Sequence, residues 1–151
     1  MDFYQQLAAF GSILAAALLG GLIGLEREIA GKPAGLRTHM LVGAGSALLA
    51  VLGTYLIDSY GDVEYVRTDP IRMVEAIIVG IGFLGAGTII HREGGGVKGL
   101  TTAASIFSVA AIGIGTALKL YPLVIGVTLV ILFVNYIVDQ WEKWLDRRLK
   151  D

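Results

Sequence analysis

Five long stretches of this sequence are almost free of charge, and nothing else in it constrains the fold so strongly. They cover residues 7–25, 39–57, 73–90, 101–118 and 121–138, and Glu75 is the only Asp, Glu, Lys or Arg inside them. A helix that crosses the ~30 Å hydrocarbon core of a bilayer needs roughly 20 apolar residues, and it must bond its own backbone because no water is there to do so. A buried helix of a water-soluble bundle instead keeps a polar face at helical period, and the first, third and fifth stretches show none. The expected fold class is therefore an all-α membrane protein: a compact bundle of about five transmembrane helices forming a single domain over residues 1–151. The fourth stretch is rich in alanine and glycine and is separated from the fifth only by Lys119 and Leu120, so a re-entrant pair is the alternative there.

Composition agrees. Charged residues make up 17% of the chain, against about 25% in ordinary soluble domains. A net charge of −1 gives no basic field to attract nucleic acid. The absence of cysteine excludes disulfides and thiolate metal sites. No basic leader precedes the first stretch, and Glu26 and Arg27 follow it, so it reads as a retained helix rather than a cleaved signal.

Basic residues cluster on alternate connections. Arg27, Lys32 and Arg37 follow the first stretch, Arg92 and Lys98 the third, and Lys143, Arg147, Arg148 and Lys150 the fifth. The opposite side holds Arg67, Arg72 and Lys119. The positive-inside rule then places the N-terminus outside and the C-terminus in the cytoplasm. Trp141 and Trp144 lie among the tail's charges, which marks residues 139–151 as an interfacial tail.

Twenty-one glycines are present, most of them within the apolar stretches. Gly20 with Gly24, Gly43 with Ala47, and Gly82 with Ala86 are small-xxx-small pairs, and Gly85 adds to the last set. Such residues let helix backbones approach closely where lipid removes the usual hydrophobic drive. The same surfaces suit a homodimer. Residues 80–85 fit G-x-G-x-x-G, but they lie inside an apolar span rather than between a strand and a helix, so packing is the reading. The 94–99 stretch is not a phosphate-binding loop either, because Leu100 stands where its lysine would be needed.

Ionisable groups in or beside spans are costly, which makes them candidates for function. Glu26 and Arg27 end the first span, where they also fit plain snorkelling end charges. Arg37 and His39 open the second span, and Arg37 is placed to pair with Glu26. Asp69-Pro70 is a strong helix start, with Asp as cap and Pro at the first turn. Arg72 follows, and Glu75 sits about 9 Å into that helix at 1.5 Å per residue. The loop from His91 to Lys98 contains Arg92 and Glu93, and it leads to Thr101, read as the cap of the fourth helix. A helix start with a nearby lysine can hold an anion, although an exposed loop is the simpler reading. Asn135, inside the fifth span, reads as an interhelical hydrogen bond. Asp69 and Glu75 are the weak Mg²⁺ candidates, because magnesium takes oxygen ligands and keeps several waters. Asp58, Asp62 and Glu64 share their side. No cofactor is otherwise implied, and no nucleophile and base stand at a spacing that suggests an enzyme.

Several ordered motifs carry a resemblance. Residues 20–27 (GGLIGLER), 34–38 (AGLRT), 69–72 (DPIR), 80–87 (GIGFLGAG), 92–94 (REG) and 99–104 (GLTTAA) together resemble the MgtC/SapB family of bacterial inner-membrane proteins, over about residues 10–138. The resemblance implies a five-span domain in the bacterial inner membrane. Glu26, Arg27, Arg37, Arg72 and Glu93 match the family pattern, and with Thr101 they are the expected functional polar cluster. Some family members carry Asn at the Thr101 position, Cys at the Ser108 position and Gln at the Ala76 position, so this chain departs from them there. Long members add a cytoplasmic C-terminal domain, and this sequence stops before it, as a short form or as a piece of a longer protein. The family implies growth at low magnesium, virulence, and action on the proton-translocating ATP synthase and membrane potential. Two functions follow as expectations. One is a protein of magnesium and ion homeostasis that takes part in Mg²⁺ transport. The other is a non-transporting regulator of another membrane complex, acting through its helix surfaces. The expected partners are the lipid bilayer, a second copy, and another membrane protein complex, with no nucleic acid.

Overall fold

The structure, a computed structural model, describes residues 1–60, 69–91 and 97–148, with side chains for all of these except 90, 91, 139 and 142–148. Helix α1 spans Phe3–Ile29, α2 Leu36–Tyr60, α3 Pro70–Gly87, α4 Leu100–Ala117 and α5 Tyr121–Arg148. Strands β1 (Ile90–His91) and β2 (Val97–Lys98) form one short antiparallel hairpin, with Ile90 opposite Lys98 and His91 opposite Val97. All five helices are long and apolar enough to cross a membrane.

The helix ends correct the apolar boundaries, and local chemistry explains each change. α1 begins four residues before the apolar stretch because Asp2 forms a capping box: its carboxylate accepts from Gln5 N at 2.7 Å, and Gln5 Oε1 accepts from Asp2 N at 2.9 Å. α3 starts at Pro70, with Asp69 as its cap accepting from Ile71 N at 2.9 Å. It stops at Gly87, because Thr88 turns its hydroxyl and its N–H back onto the Gly85 carbonyl. Ile90, which the apolar pattern assigns to the third span, therefore belongs to the hairpin. Thr101 does not cap α4. The cap position is Gly99 at φ 94°, with no side-chain capping bond. A side chain on Gly99 would collide with the Thr88 carbonyl, so only glycine fits this turn.

α4 and α5 are separate helices rather than a re-entrant pair. The 18 residues of α4 span about 27 Å at 1.5 Å per residue, and Lys119 makes the link at φ 61°. α5 continues as helix through the predicted tail to Arg148.

α1, α2 and α4 form the central trio, with α3 laid against α4 and α2, and α5 against α4 and α1. Glycine sets the spacing of the trio. A Cβ on Gly20 would lie 2.6 Å from the His39 carbonyl oxygen, and one on Gly43 would lie 2.6 Å from that of Ala16. One on Gly113 would lie 2.5 Å from that of Gly43. Backbone meets backbone at each point, which is the contact that small residues permit. Ile23, Val42, Ile106, Val109 and Ile112 fill the rest of the core. Leu14, Leu18 and Leu22 of α1 and Leu129, Val130 and Phe133 of α5 point outward, as lipid-facing side chains do.

α3 departs from the expected small-residue packing. Gly85 is buried and faces Ala103, with 3.6 Å available to a Cβ. Gly80 and Gly82 would meet nothing within 4 Å, and Ala86 is exposed. Among the described residues the Gly82–Ala86 pair thus packs against no other helix, because Gly85 is the residue on the face turned to α4.

Candidate functional site

The helices alternate in direction. The end of α1, the starts of α2 and α4 and the late part of α5 meet at one end of the bundle, and a buried polar cluster sits there. Arg27 is 1% exposed and Glu26 23%. The guanidinium grips its neighbour's carboxylate in two-pronged fashion, Nε to Oε2 and Nη2 to Oε1, both at 2.6 Å. Adjacent helix residues normally point apart. Here burial drives them together, since a lone charge removed from water costs far more than a bent side chain. Arg27 also lies in the last turn of α1, where the helix dipole favours a cation.

Glu26 reaches a second helix. Asn135 Nδ2 of α5 donates to its Oε2 at 3.1 Å, so Asn135 makes an interhelical bond as its place in the span suggested. At the opposite end of the same two helices, Ser12 Oγ and Tyr121 Oη are 3.0 Å apart. Two polar clamps therefore tie α5 to α1. Next to the cluster, Glu28 accepts from Leu36 N at 2.8 Å and serves as the cap of α2 from the end of α1. Its own side chain packs on Gly35, where any Cβ would strike it.

His39 is fully buried one turn into α2. Its ring bridges two elements: Nδ1 lies 2.9 Å from the Gly35 carbonyl oxygen and Nε2 lies 2.9 Å from Ser105 Oγ of α4. Ser105 Oγ is also 2.9 Å from the Thr102 carbonyl oxygen. Gly20 and Gly24 of α1 lie close against the backbone and Cβ of His39, and the two hydrogen bonds fix the ring.

Other sequence candidates lie apart from this cluster. Arg37 is exposed and is not the partner of Glu26. Among the described residues the ion pair is Glu26–Arg27, because the start of α2 turns Arg37 away from the bundle. Asp69, Arg72 and Glu75 are exposed on α3 at the far end. Glu75 makes no ion pair among the described residues, and no group of three or more His, Asp or Glu there could hold a metal. Thr101 is exposed. Arg92, Glu93, Asp62 and Glu64 lie outside the described residues. At the far end, a cavity of about 530 Å³ opens between α1, α2 and the α4–α5 link, lined by Asp2, Tyr4, Ser12, Thr54, Asp58 and Lys119 among others. Near the cluster a smaller crevice of about 340 Å³ runs between α1 and α5 past Glu26, Tyr136 and Gln140.

Residue-type reasoning missed Ser105, Ser12 and Tyr121. Each is a hydroxyl in an apolar run, and only the fold shows which other helix it meets.

Five apolar helices closed around a buried ionic cluster define a multi-pass helical membrane protein. Comparison with known proteins gives the family: residues 13–144 match the MgtC family, and the chain belongs to it, as a multi-pass protein of the bacterial inner membrane. It is 40% identical over 128 residues to the putative magnesium transporter YhiD of Escherichia coli, which covers 85% of this chain and 59% of that protein. It is 45% identical over 112 residues to protein MgtC of Brucella abortus (74% of this chain, 43% of that one). It is 36% identical over 106 residues to protein SapB of Bacillus subtilis (70% and 46%). The chain therefore spans less than two thirds of the length of these curated relatives. No solved structure matches it.

Proposed function

We propose that this chain is a membrane component of magnesium homeostasis and that it acts as a regulator rather than as the conduit for the ion. The relatives named for magnesium transport and as MgtC support the first part. The observation that carries the second is the filled centre of the bundle. Three helix backbones touch at Gly20, Gly43 and Gly113, and in the cluster beyond them the Glu26 carboxylate is engaged by Arg27 and Asn135 rather than free to bind a divalent cation. The exposed α3 face around Gly82, Ala86 and the 83%-exposed Phe83 is the surface we assign to contact with another membrane protein.

Transport remains the second reading. It draws on the printed name of the Escherichia coli relative and on the polar far-end cavity, with Asp2 and Asp58 in its wall. Mg²⁺ flux into liposomes separates the two. A regulator gives flux no greater than protein-free vesicles, while Gly82→Leu abolishes its effect on magnesium-limited growth without unfolding it. Saturable flux that disappears in Glu75→Gln would establish transport and end the regulatory reading.

A further inference from the structure

The hydrogen bonds around His39 contain more contacts than a neutral ring can satisfy. Gly35 O is a carbonyl and can only accept, so a bond there requires a proton on Nδ1. Thr102 O is also a carbonyl, so a bond there uses the single proton of Ser105. The third contact, Nε2 to Ser105 Oγ, then needs a proton of its own on Nε2. All three contacts are made together only when both ring nitrogens carry protons, which is the imidazolium. When the ring is neutral with its proton on Nδ1, the Ser105 hydroxyl turns from Thr102 O to Nε2, and the bond to Thr102 O is the one given up. The other neutral tautomer would set the Nδ1 lone pair against the Gly35 carbonyl at 2.9 Å.

We propose that His39, Ser105 and the carbonyls of Gly35 and Thr102 form a proton-binding site inside the bundle, in which the Ser105 hydroxyl rotates as the proton comes and goes. The change needs only a hydroxyl rotation, because Nδ1 keeps its bond to Gly35 O and Nε2 keeps a bond to Ser105 Oγ in both states, while the bond to Thr102 O is made in the charged state alone. That matters here, since Gly20 and Gly24 hold the His39 backbone and Cβ against α1. The charged groups facing the ring are Glu26 and Arg27 of α1, and they are bonded to each other. On α2 Arg37 is exposed. α4 offers the Ser105 hydroxyl and, behind it, the Thr102 carbonyl, and Asn135 of α5 is neutral. Proton uptake therefore adds one net positive charge to a cluster that is otherwise balanced. Ionisable groups at such depth are retained for a task more often than for stability, and histidine is the side chain suited to exchanging a proton near neutral pH.

The test is nitrogen NMR on ¹⁵N-histidine-labelled protein in lipid nanodiscs over a range of pH. The chain has two histidines, so His91→Gln leaves His39 as the only signal. The expected result is the Nδ1–H neutral tautomer at high pH, converting to imidazolium as the pH falls while the protein stays folded. Ser105→Ala should lower the imidazolium fraction at a given pH about tenfold, since a bond to a charged donor is worth roughly twice a neutral one. Ser105→Thr, which keeps the hydroxyl, should restore it. An Nε2–H tautomer at high pH overturns the proposal. So does a ring that stays neutral, or stays charged, over the whole range in which the fold survives. The tautomer reading leaves the cluster intact and so decides the matter even where Ser105→Ala does not fold.

Discussion

Asn135 and Glu26 are joined at 3.1 Å across 109 residues of sequence, the same separation as Ser12 and Tyr121. Equal separations mean that α1 and α5 run in the same direction and in one fixed register. Polar contacts between transmembrane helices are worth about 1 kcal/mol each. Two of them at opposite ends stop both sliding and rotation.

Asn135→Leu should therefore cost about 1 kcal/mol in detergent unfolding and leave the fold in place. Asn135→Asp should cost more, since it sets a second carboxylate against Glu26. An equal loss in both would show that Asn135 contributes packing rather than a bond.

Arg27→Met removes one half of a buried pair. Breaking such pairs costs about 3–5 kcal/mol because the partner is left buried and charged. Adding Glu26→Gln should recover part of that loss, as contacting residues are non-additive. A double mutant no more stable than Arg27→Met alone would mean that Glu26 is already well solvated.

Gly43→Ala and Gly82→Ala form a matched pair. The first drives a methyl toward the Ala16 carbonyl and the second enters open space. Overpacking typically costs about 1–3 kcal/mol, so thermal unfolding should drop clearly for Gly43→Ala and hardly move for Gly82→Ala.

Asp69→Ala and Glu75→Gln separate a cap from an exposed charge. Loss of the Asp69 cap should cost about 1 kcal/mol, seen as earlier unfolding. Glu75→Gln should be close to neutral in the same assay.

Orientation can be read directly because the chain has no cysteine. The charge bias predicts that a membrane-impermeant maleimide applied to intact cells labels Ser59→Cys and spares Lys98→Cys. The reverse pattern would invert the topology.

The five helices were legible because a bilayer imposes one length and one composition on whatever crosses it. Asp69-Pro70 was legible as a helix start because capping is local chemistry. Asn135 was legible because an amide within a span needs a partner. What failed to show was which partner. Arg37 looked like the mate of Glu26, and only the turn held by Glu28 on Leu36 decides which way Arg37 points. The α3 pair failed for a related reason. A small-xxx-small pattern shows that two residues share a helix face, but not whether any helix lies there. Ser105 and His39 share no motif in the sequence, and they meet only because glycine lets α1, α2 and α4 close up.

That closeness has a mechanical consequence. With backbone seated on backbone at Gly20, Gly43 and Gly113, the central trio has no slack for side chains to rearrange and behaves as a single stiff post. α3 has only Ile77 and Gly85 buried and rests against the post like a plate on a pillar. Slow deuterium uptake should mark the post and faster uptake the plate. A change in bilayer thickness or tension would then be taken up at the α3 seam first, well before it disturbed the cluster around Arg27.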